Sequence, residues 1–302
     1  MKNNIINENR VLMLKVGLIA LVLSIFLSTI LYGQDKKENT DYSALVRLEQ
    51  DIRYATKPDS VNDDVSSDRL LDLYLPKAIQ PTKLPVYIYI HGGGFSGGDK
   101  NQHKAFCSKL ASYGIAVIAT NYRLYLKHNK IAGASCRANM SKGLPPSGKF
   151  NEGLHNAIKM AGEDAILAFN WIKDNSGKYN FDTRDITISG GSAGAITALF
   201  TGLCVKYSKV KVKNIVNLWG GLENNNQVIN SKIPVLTFHG NKDDLISVEY
   251  AHSLHRLLEQ KGNKDSKLVI MDGIGHGGSA YKYVMNNKME TIVSFIKEKD
   301  HK

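Results

Sequence analysis

The stretch Asp185-Ile186-Thr187-Ile188-Ser189-Gly190-Gly191-Ser192-Ala193-Gly194-Ala195-Ile196-Thr197-Ala198-Leu199-Phe200 decides the reading of this chain. Its first five residues, DITIS, read as a short strand, and AITALF (195–200) reads as the start of a helix. Between them, Gly190-Gly191-Ser192-Ala193-Gly194 fits the pattern G-x-S-x-G. A serine on a tight turn from strand to helix stands with its oxygen exposed, and small neighbours let the turn fit. So short a pattern is weak by itself. The chain holds a second match, Gly94-Phe95-Ser96-Gly97-Gly98, but this one runs on into the polar loop GGDKNQ (97–102). Context therefore selects Ser192 as the candidate nucleophile and leaves Ser96 aside.

Working outward, strand and helix alternate. RLLDLYL (69–75) alternates and then meets Pro76, which suggests an edge strand. PVYIYI (85–90) and IAVIAT (115–120) read as buried strands, separated by a helix over 101–113 that Gly114 ends. Further on, the strands are KNIVNLWG (213–220), PVLTFHG (234–240) and KLVIMD (267–272). Helices are expected at 156–174, at 247–261 and at about 279–298. This order predicts an α/β fold with a mostly parallel sheet covered on both faces, in one domain over 34–302. Residues 124–155 break the pattern. They hold Gly133, Gly143, Pro145, Pro146, Gly148 and Gly153 and read as an irregular insertion. It starts at the loop end of a strand, so it is expected to lie over a pocket as a partial lid. Its apolar points are Leu144, Pro145, Pro146 and Phe150.

A serine needs a base. His276 lies in GIGHGG (273–278), just after the last strand, where flanking glycines let a turn present the ring. The imidazole in turn needs a carboxylate to fix its tautomer. Asp243 and Asp244 follow the strand PVLTFHG, and Asp243 is preferred; Asp272 is only four residues from His276 and is poorly placed to reach the far side of the ring. Donors for a developing oxyanion are expected from His91-Gly92-Gly93-Gly94, after PVYIYI: the N–H groups of Gly93 and Gly94, with that of Ala193 behind the serine. A phosphate loop is the rival reading of these glycines. It lacks the Lys-Ser/Thr pair, and G-x-G-x-x-G is absent.

These residues give the chain a family likeness. HGGGFSGGDK (91–100), ATNYRL (119–124), ISGGSAGA (188–195), HGNKDD (239–244) and GIGHGG resemble, in content and order, the α/β-hydrolase superfamily of serine esterases. The likeness is to its HGGG-bearing carboxylesterase and lipase-like branch, which includes feruloyl and acetyl-xylan esterases and kynurenine formamidase. It covers about 70–298, and the chain order Ser192, Asp243, His276 is that of the superfamily. The resemblance implies hydrolysis of a small-molecule or carbohydrate ester through an acyl-enzyme, with no cofactor and no metal. Two alternatives stay open. One is an amidase or peptidase on the same fold, which would turn over peptides rather than esters. The other is a binding protein that kept the fold, in which Ser192 would not react.

The first 33 residues read apart from that domain. Lys2, Arg10 and Lys15 precede an uncharged apolar run, 16–32, and Gly33-Gln34 follows. This describes a secretory signal, and hence a secreted or periplasmic domain. A run of 17 residues also approaches the roughly 17–25 of a spanning helix, so a retained membrane anchor is the alternative. The formal charge is +11, densest at Lys206, Lys209, Lys211 and Lys213. With no nucleic-acid motif beside it, it reads as a solvated basic surface. Cys107, Cys136 and Cys204 have no metal-type spacing, and no bridge is assigned. His252 and His255 read as packing residues, Trp171 and Trp219 as core, and Asn121-Tyr122-Arg123 as a brace at a strand end.

Overall fold

The computed structural model describes residues 41–42, 44–78, 80–207 and 209–298. The expected signal over 1–33 lies outside them. From Tyr42 onward the chain forms one unit. Among the described residues its eight strands are β1 (Val46–Arg53), β2 (Leu70–Pro76), β3 (Leu84–Ile90), β4 (Ala116–Thr120), β5 (Phe181–Gly191), β6 (Val212–Leu218), β7 (Val235–Gly240) and β8 (Lys267–Met271). They make a single sheet in the order β1-β2-β4-β3-β5-β6-β7-β8. The pairs β1–β2 and β2–β4 are antiparallel and the rest are parallel.

The helices are α1 (Lys104–Ser112), α2 (Tyr125–His128), α3 (Cys136–Met140), α4 (Glu152–Asp174), α5 (Ser176–Tyr179), α6 (Ala193–Leu199), α7 (Glu249–Gln260), α8 (Gly278–Asn287) and α9 (Met289–Lys297). They cover both faces of the sheet, because successive side chains of a strand point to opposite sides. In β3, Val86, Ile88 and Ile90 enter one core with α4, α6 and α7, while Tyr87 and Tyr89 enter the other with α1, α8 and α9. A polar thread crosses the second layer. Tyr87 Oη donates to Ser189 Oγ at 2.6 Å, and Ser189 Oγ donates to the carbonyl of Val216 at 2.8 Å, tying β3, β5 and β6.

Three expectations are corrected. The strand at 69–75 is not an edge: β1 lies outside it, and Leu70–Leu75 are buried. β1 escaped notice because VRLEQDIR buries only Val46 fully; its charges suit an edge strand that must not pair with another chain. The closing helix divides at Lys288 into α8 and α9. The insertion is also more ordered than its composition suggests. It contains α2 and α3, and α4 already begins at Glu152, where the Asn151 side chain accepts from Gly153 N at 2.9 Å. Ala134, Cys136, Met140 and Phe150 are all buried, so the segment does pack into the core.

The strand-end brace has a physical basis. Asn121 Oδ1 accepts from Lys100 N at 2.7 Å, and Arg123 binds the fully buried Asp164, which also takes Arg69 at 2.9 Å. Lys100 is 3% exposed, and its ammonium sits 2.7 Å from Asp72 and 2.8 Å from Asp51. Burial pulls its pKa down, but the hydrogen bonds it donates to both carboxylates outweigh this and raise it. This ion cluster pins the end of the HGGGFSGGDK loop to β2.

Candidate active site

Ser192 sits where β5 gives way to α6, with φ 55° and ψ −119°. A non-glycine residue in this region stores roughly 1–3 kcal/mol of strain. Ser192 N donates to Leu218 O at 3.0 Å and Ser192 O accepts from Ile196 N at 2.9 Å, which holds the turn. The outer glycines are needed for closeness. A Cβ on Gly194 would come within 2.0 Å of the Ile90 carbonyl oxygen, and one on Gly190 within 2.5 Å of the same atom. The turn therefore lies directly on the end of β3.

His276 lies in the loop between β8 and α8. Its Nε2 is 2.9 Å from Ser192 Oγ and its Nδ1 is 2.7 Å from Asp243 Oδ2. The structure thus brings the three expected residues into one hydrogen-bonded line. The side chain of Asp243 is fully buried. Its Oδ1 accepts from the N–H groups of Leu245 at 3.0 Å and Ile246 at 2.9 Å. A second histidine, His239 of β7, reaches Asp243 Oδ2 at 3.3 Å through the same Nε2 that donates to Ile246 O at 2.9 Å. Burial would raise the Asp243 pKa, but the bonds from His239, His276 and Ile246 N–H together hold it well below the usual carboxylate range. Asp243 is thus an anion at neutral pH, and it requires the proton on His276 Nδ1.

The other candidates are engaged elsewhere. Asp244 pairs with Arg137 at 3.1 Å, and Asp272 accepts from Asn241 Nδ2 at 2.6 Å. Ser96 Oγ donates to Gly93 O at 3.3 Å. His255 meets Thr237 Oγ1 at 3.0 Å, and burial lowers its pKa to about 4. The three cysteines are free thiols.

The glycine loop packs against the serine. A Cβ on Gly92 would lie 3.4 Å from Ser192 Cβ and 2.9 Å from Gly191 O. Gly93 has φ 111°, and a side chain there would overlap the Gly97 carbonyl at 2.1 Å. Buried Phe95, itself at φ 61°, anchors the loop from below. His91 stacks on Tyr122 at 4.5 Å, and Tyr122 Oη donates to His91 O at 3.1 Å. Ala193 opens α6, so its N–H is among those that no helical carbonyl can satisfy. Gly93, Gly94 and Ser192 line one cleft of about 460 Å³ together with His276.

Several residues of that cleft were not singled out from the sequence as site residues. Trp219, assigned to the core, has φ 51° and lines it. Gln102, His103 and Tyr281 form another part of the wall, and Ser135, Cys136, Arg137 and Leu245 a third. Tertiary contact alone assembles these. The positive-φ Trp219 after β6 left no mark a sequence pattern would register. The insertion does reach the cleft, through Ser135–Arg137 rather than through its expected apolar points; Phe150 instead packs on Tyr250, with ring centres 6.2 Å apart.

Comparison with known proteins points to the same fold. A BD-FAE family model matches residues 71–135 and 156–226, and a prolyl oligopeptidase family model matches 217–301. The first match holds Gly93, Gly94 and Ser192, and the second holds Asp243 and His276. Fumonisin B1 esterase of Sphingopyxis macrogoltabida is 34% identical over 125 residues, 41% of this chain and 21% of that protein. The acetyl esterase of Salmonella typhi is 26% identical over 153 residues, 50% of this chain and 38% of that protein. The chain thus spans well under half the length of these curated relatives. Among solved structures, a truncated carbohydrate esterase from gut microbiota superposes with a TM-score of 0.60 at 17% identity, over 86% of this chain and 99% of that one. Apo esterase 2 of Thermogutta terrifontis gives 0.59 at 19% identity, over 87% and 98%. Likeness at this level of identity speaks for the fold. With its sheet order, its serine at the β5–α6 turn, and acid and histidine after β7 and β8, the chain has the α/β-hydrolase fold.

Proposed function

We propose that this chain is a serine esterase that hydrolyses carboxylic esters through an acyl-enzyme, outside the cytoplasm. The observation that carries the reading is the unbroken line from Ser192 Oγ to His276 to Asp243, at 2.9 and 2.7 Å. Ser192 Oγ attacks the ester carbonyl while His276 Nε2 takes its proton. The negative oxygen of the tetrahedral adduct is held by the N–H groups of Gly93, Gly94 and Ala193. The adduct collapses, the C–O bond to the alcohol breaks, and His276 returns the proton to the departing alcohol. Water then adds to the acyl group with the same imidazole as base, releasing the acid and free Ser192. Asp243 keeps the Nδ1 proton in place and offsets the imidazolium charge.

Support for a sugar-bearing substrate comes from the likeness to a carbohydrate esterase. Support for export comes from the basic start and apolar run of residues 1–33. The prolyl oligopeptidase match over 217–301 favours a second reading, cleavage of a peptide bond by the same residues.

A fluorophosphonate probe should attach to Ser192, located by peptide mass spectrometry, and short-chain esters, acetylated xylan or feruloyl esters should be turned over. Peptide amides cleaved in preference to all esters would favour the peptidase. No label and no turnover would leave a binding protein. The mature protein from its native cell should begin near Gln34 by intact mass. A membrane-bound form retaining residues 1–33 would favour the anchor.

A further inference from the structure

We infer that Arg137 makes this cleft selective for esters that carry a carboxylate, an inference that rests on the esterase reading. Among the described residues that line the cleft there is no Asp or Glu, and Arg137 is the one with a permanent charge. A guanidinium whose one carboxylate neighbour, Asp244, lies outside the cleft lining can still attract a negative group there and offer it paired donors.

The guanidinium is positioned but not used up. Among the described residues only its Nη1 is engaged, by Asp244 O at 3.0 Å and Asp244 Oδ2 at 3.1 Å. Donors on Nε and Nη2 are thus left for a ligand, since an arginine has five N–H donors. The two side chains of the ion pair are 57% and 74% exposed, so the pair itself is weak and a second carboxylate can join or displace it. The backbone beneath is firm. Ser135 Oγ accepts from Ala138 N at 3.1 Å, and Asn139 Nδ2 donates to Gly133 O and Ser135 O, each at 2.8 Å. Met140 is buried and its carbonyl accepts from Ser247 N at 3.0 Å.

The BD-FAE match stops at 135 and resumes at 156, and Arg137 falls in the gap. The catalytic residues all lie within matched segments, whereas this cationic one comes from the insertion.

The test compares charged esters with neutral ones of similar size, by kcat/KM. Ethyl hydrogen succinate against ethyl butyrate places the carboxylate on the acyl side. 4-Acetoxybenzoate against 4-acetoxytoluene places it on the alcohol side. In wild type at least one pair should favour the anion. Arg137→Gln should lower that anionic-to-neutral ratio by about tenfold to a hundredfold, the range for losing a hydrogen bond to a charged group. Arg137→Lys should recover part of the ratio, and Asp244→Asn should raise it by removing the competing anion. The pair that responds identifies the side of the ester that Arg137 faces. Ratios that Arg137→Gln leaves unchanged in both pairs would overturn the inference while esterase activity stands. Binding separates the two claims further. Calorimetry should show monoethyl succinate or 4-acetoxybenzoate binding to Ser192→Ala and weakening in Ser192→Ala with Arg137→Gln. If the wild type cleaves none of the esters and this weakening is still seen, the esterase reading falls and the anion site stands. If the weakening is missing with both esters, the anion site falls whatever the turnover.

Discussion

Ser192 does two jobs at once: it holds a strained backbone angle and presents its oxygen to His276 at 2.9 Å. Replacement by alanine removes only the oxygen. Ser192→Ala should therefore keep its unfolding midpoint and lose roughly 10³-fold or more in ester kcat. Ser96→Ala should keep most of the activity, because the Ser96 hydroxyl merely donates to Gly93 O. The reverse result would move the nucleophile to Ser96. A matched pair tests the acid. Asp243→Asn should cost far more in kcat than Asp244→Asn, since an amide at 243 upsets the tautomer of His276. Comparable losses would count against Asp243. These residues were legible because the chemistry requires a local signature: glycines crowd the serine, the histidine and the oxyanion loop. His239 was not. Its role comes from lying fully buried within 3.3 Å of Asp243, and a histidine in the middle of a strand carries no local sign of that.

Among the elements, β3 to β7 could be read from apolar runs because they are largely buried on both faces, while β8 showed in its run KLVIM although only Met271 is buried. β1 could not, because half of it faces solvent and its composition is that of a loop. α2 and α3 were hidden for another reason. They are four and five residues long, too short to show a helical period, and Gly and Pro surround them. The loop after β3 was legible in its glycines but not in its anchor. Lys100 looks like a surface lysine in sequence, yet it is buried between Asp51 and Asp72. Lys100→Met should cost about 3–5 kcal/mol in chemical denaturation, because it leaves Asp72 buried without its countercharge. A loss below about 1 kcal/mol would show that Asp72 is neutral or that water reaches it.

At the scale of the whole molecule, three histidines decide the response to acid. His91, His103 and His255 are each lowered by burial from 6.5 to about 4. In the unfolded chain they take up protons below about pH 6.5, while in the folded protein they stay neutral down to about 4. Across that window the unfolded state binds more protons, so stability falls as the pH falls. The urea midpoint should drop steadily between about pH 6.5 and 4, and His255→Gln should flatten the slope. A midpoint that stays constant over this range would show that these rings titrate normally. Asp243 adds the same trend lower down: its depressed pKa stabilises the fold above the normal carboxylate range and ceases to do so as protonation is forced.

Ser247 N donates to Met140 O at 3.0 Å, Tyr250 Oη reaches Asn139 O at 3.4 Å, and Glu223 binds both Phe150 N and His155 Nδ1 at 2.7 Å. The insertion is thus moored to the loops that follow β6 and β7, the second of which carries Asp243. For anyone recombining such hydrolases this sets a unit of exchange. A foreign insert grafted onto this body would arrive without partners for Ser247 and Glu223, and the disturbance would fall beside the catalytic acid. Chimeras that carry 136–155 together with 221–250 should keep their turnover, where those that carry either piece alone should lose it.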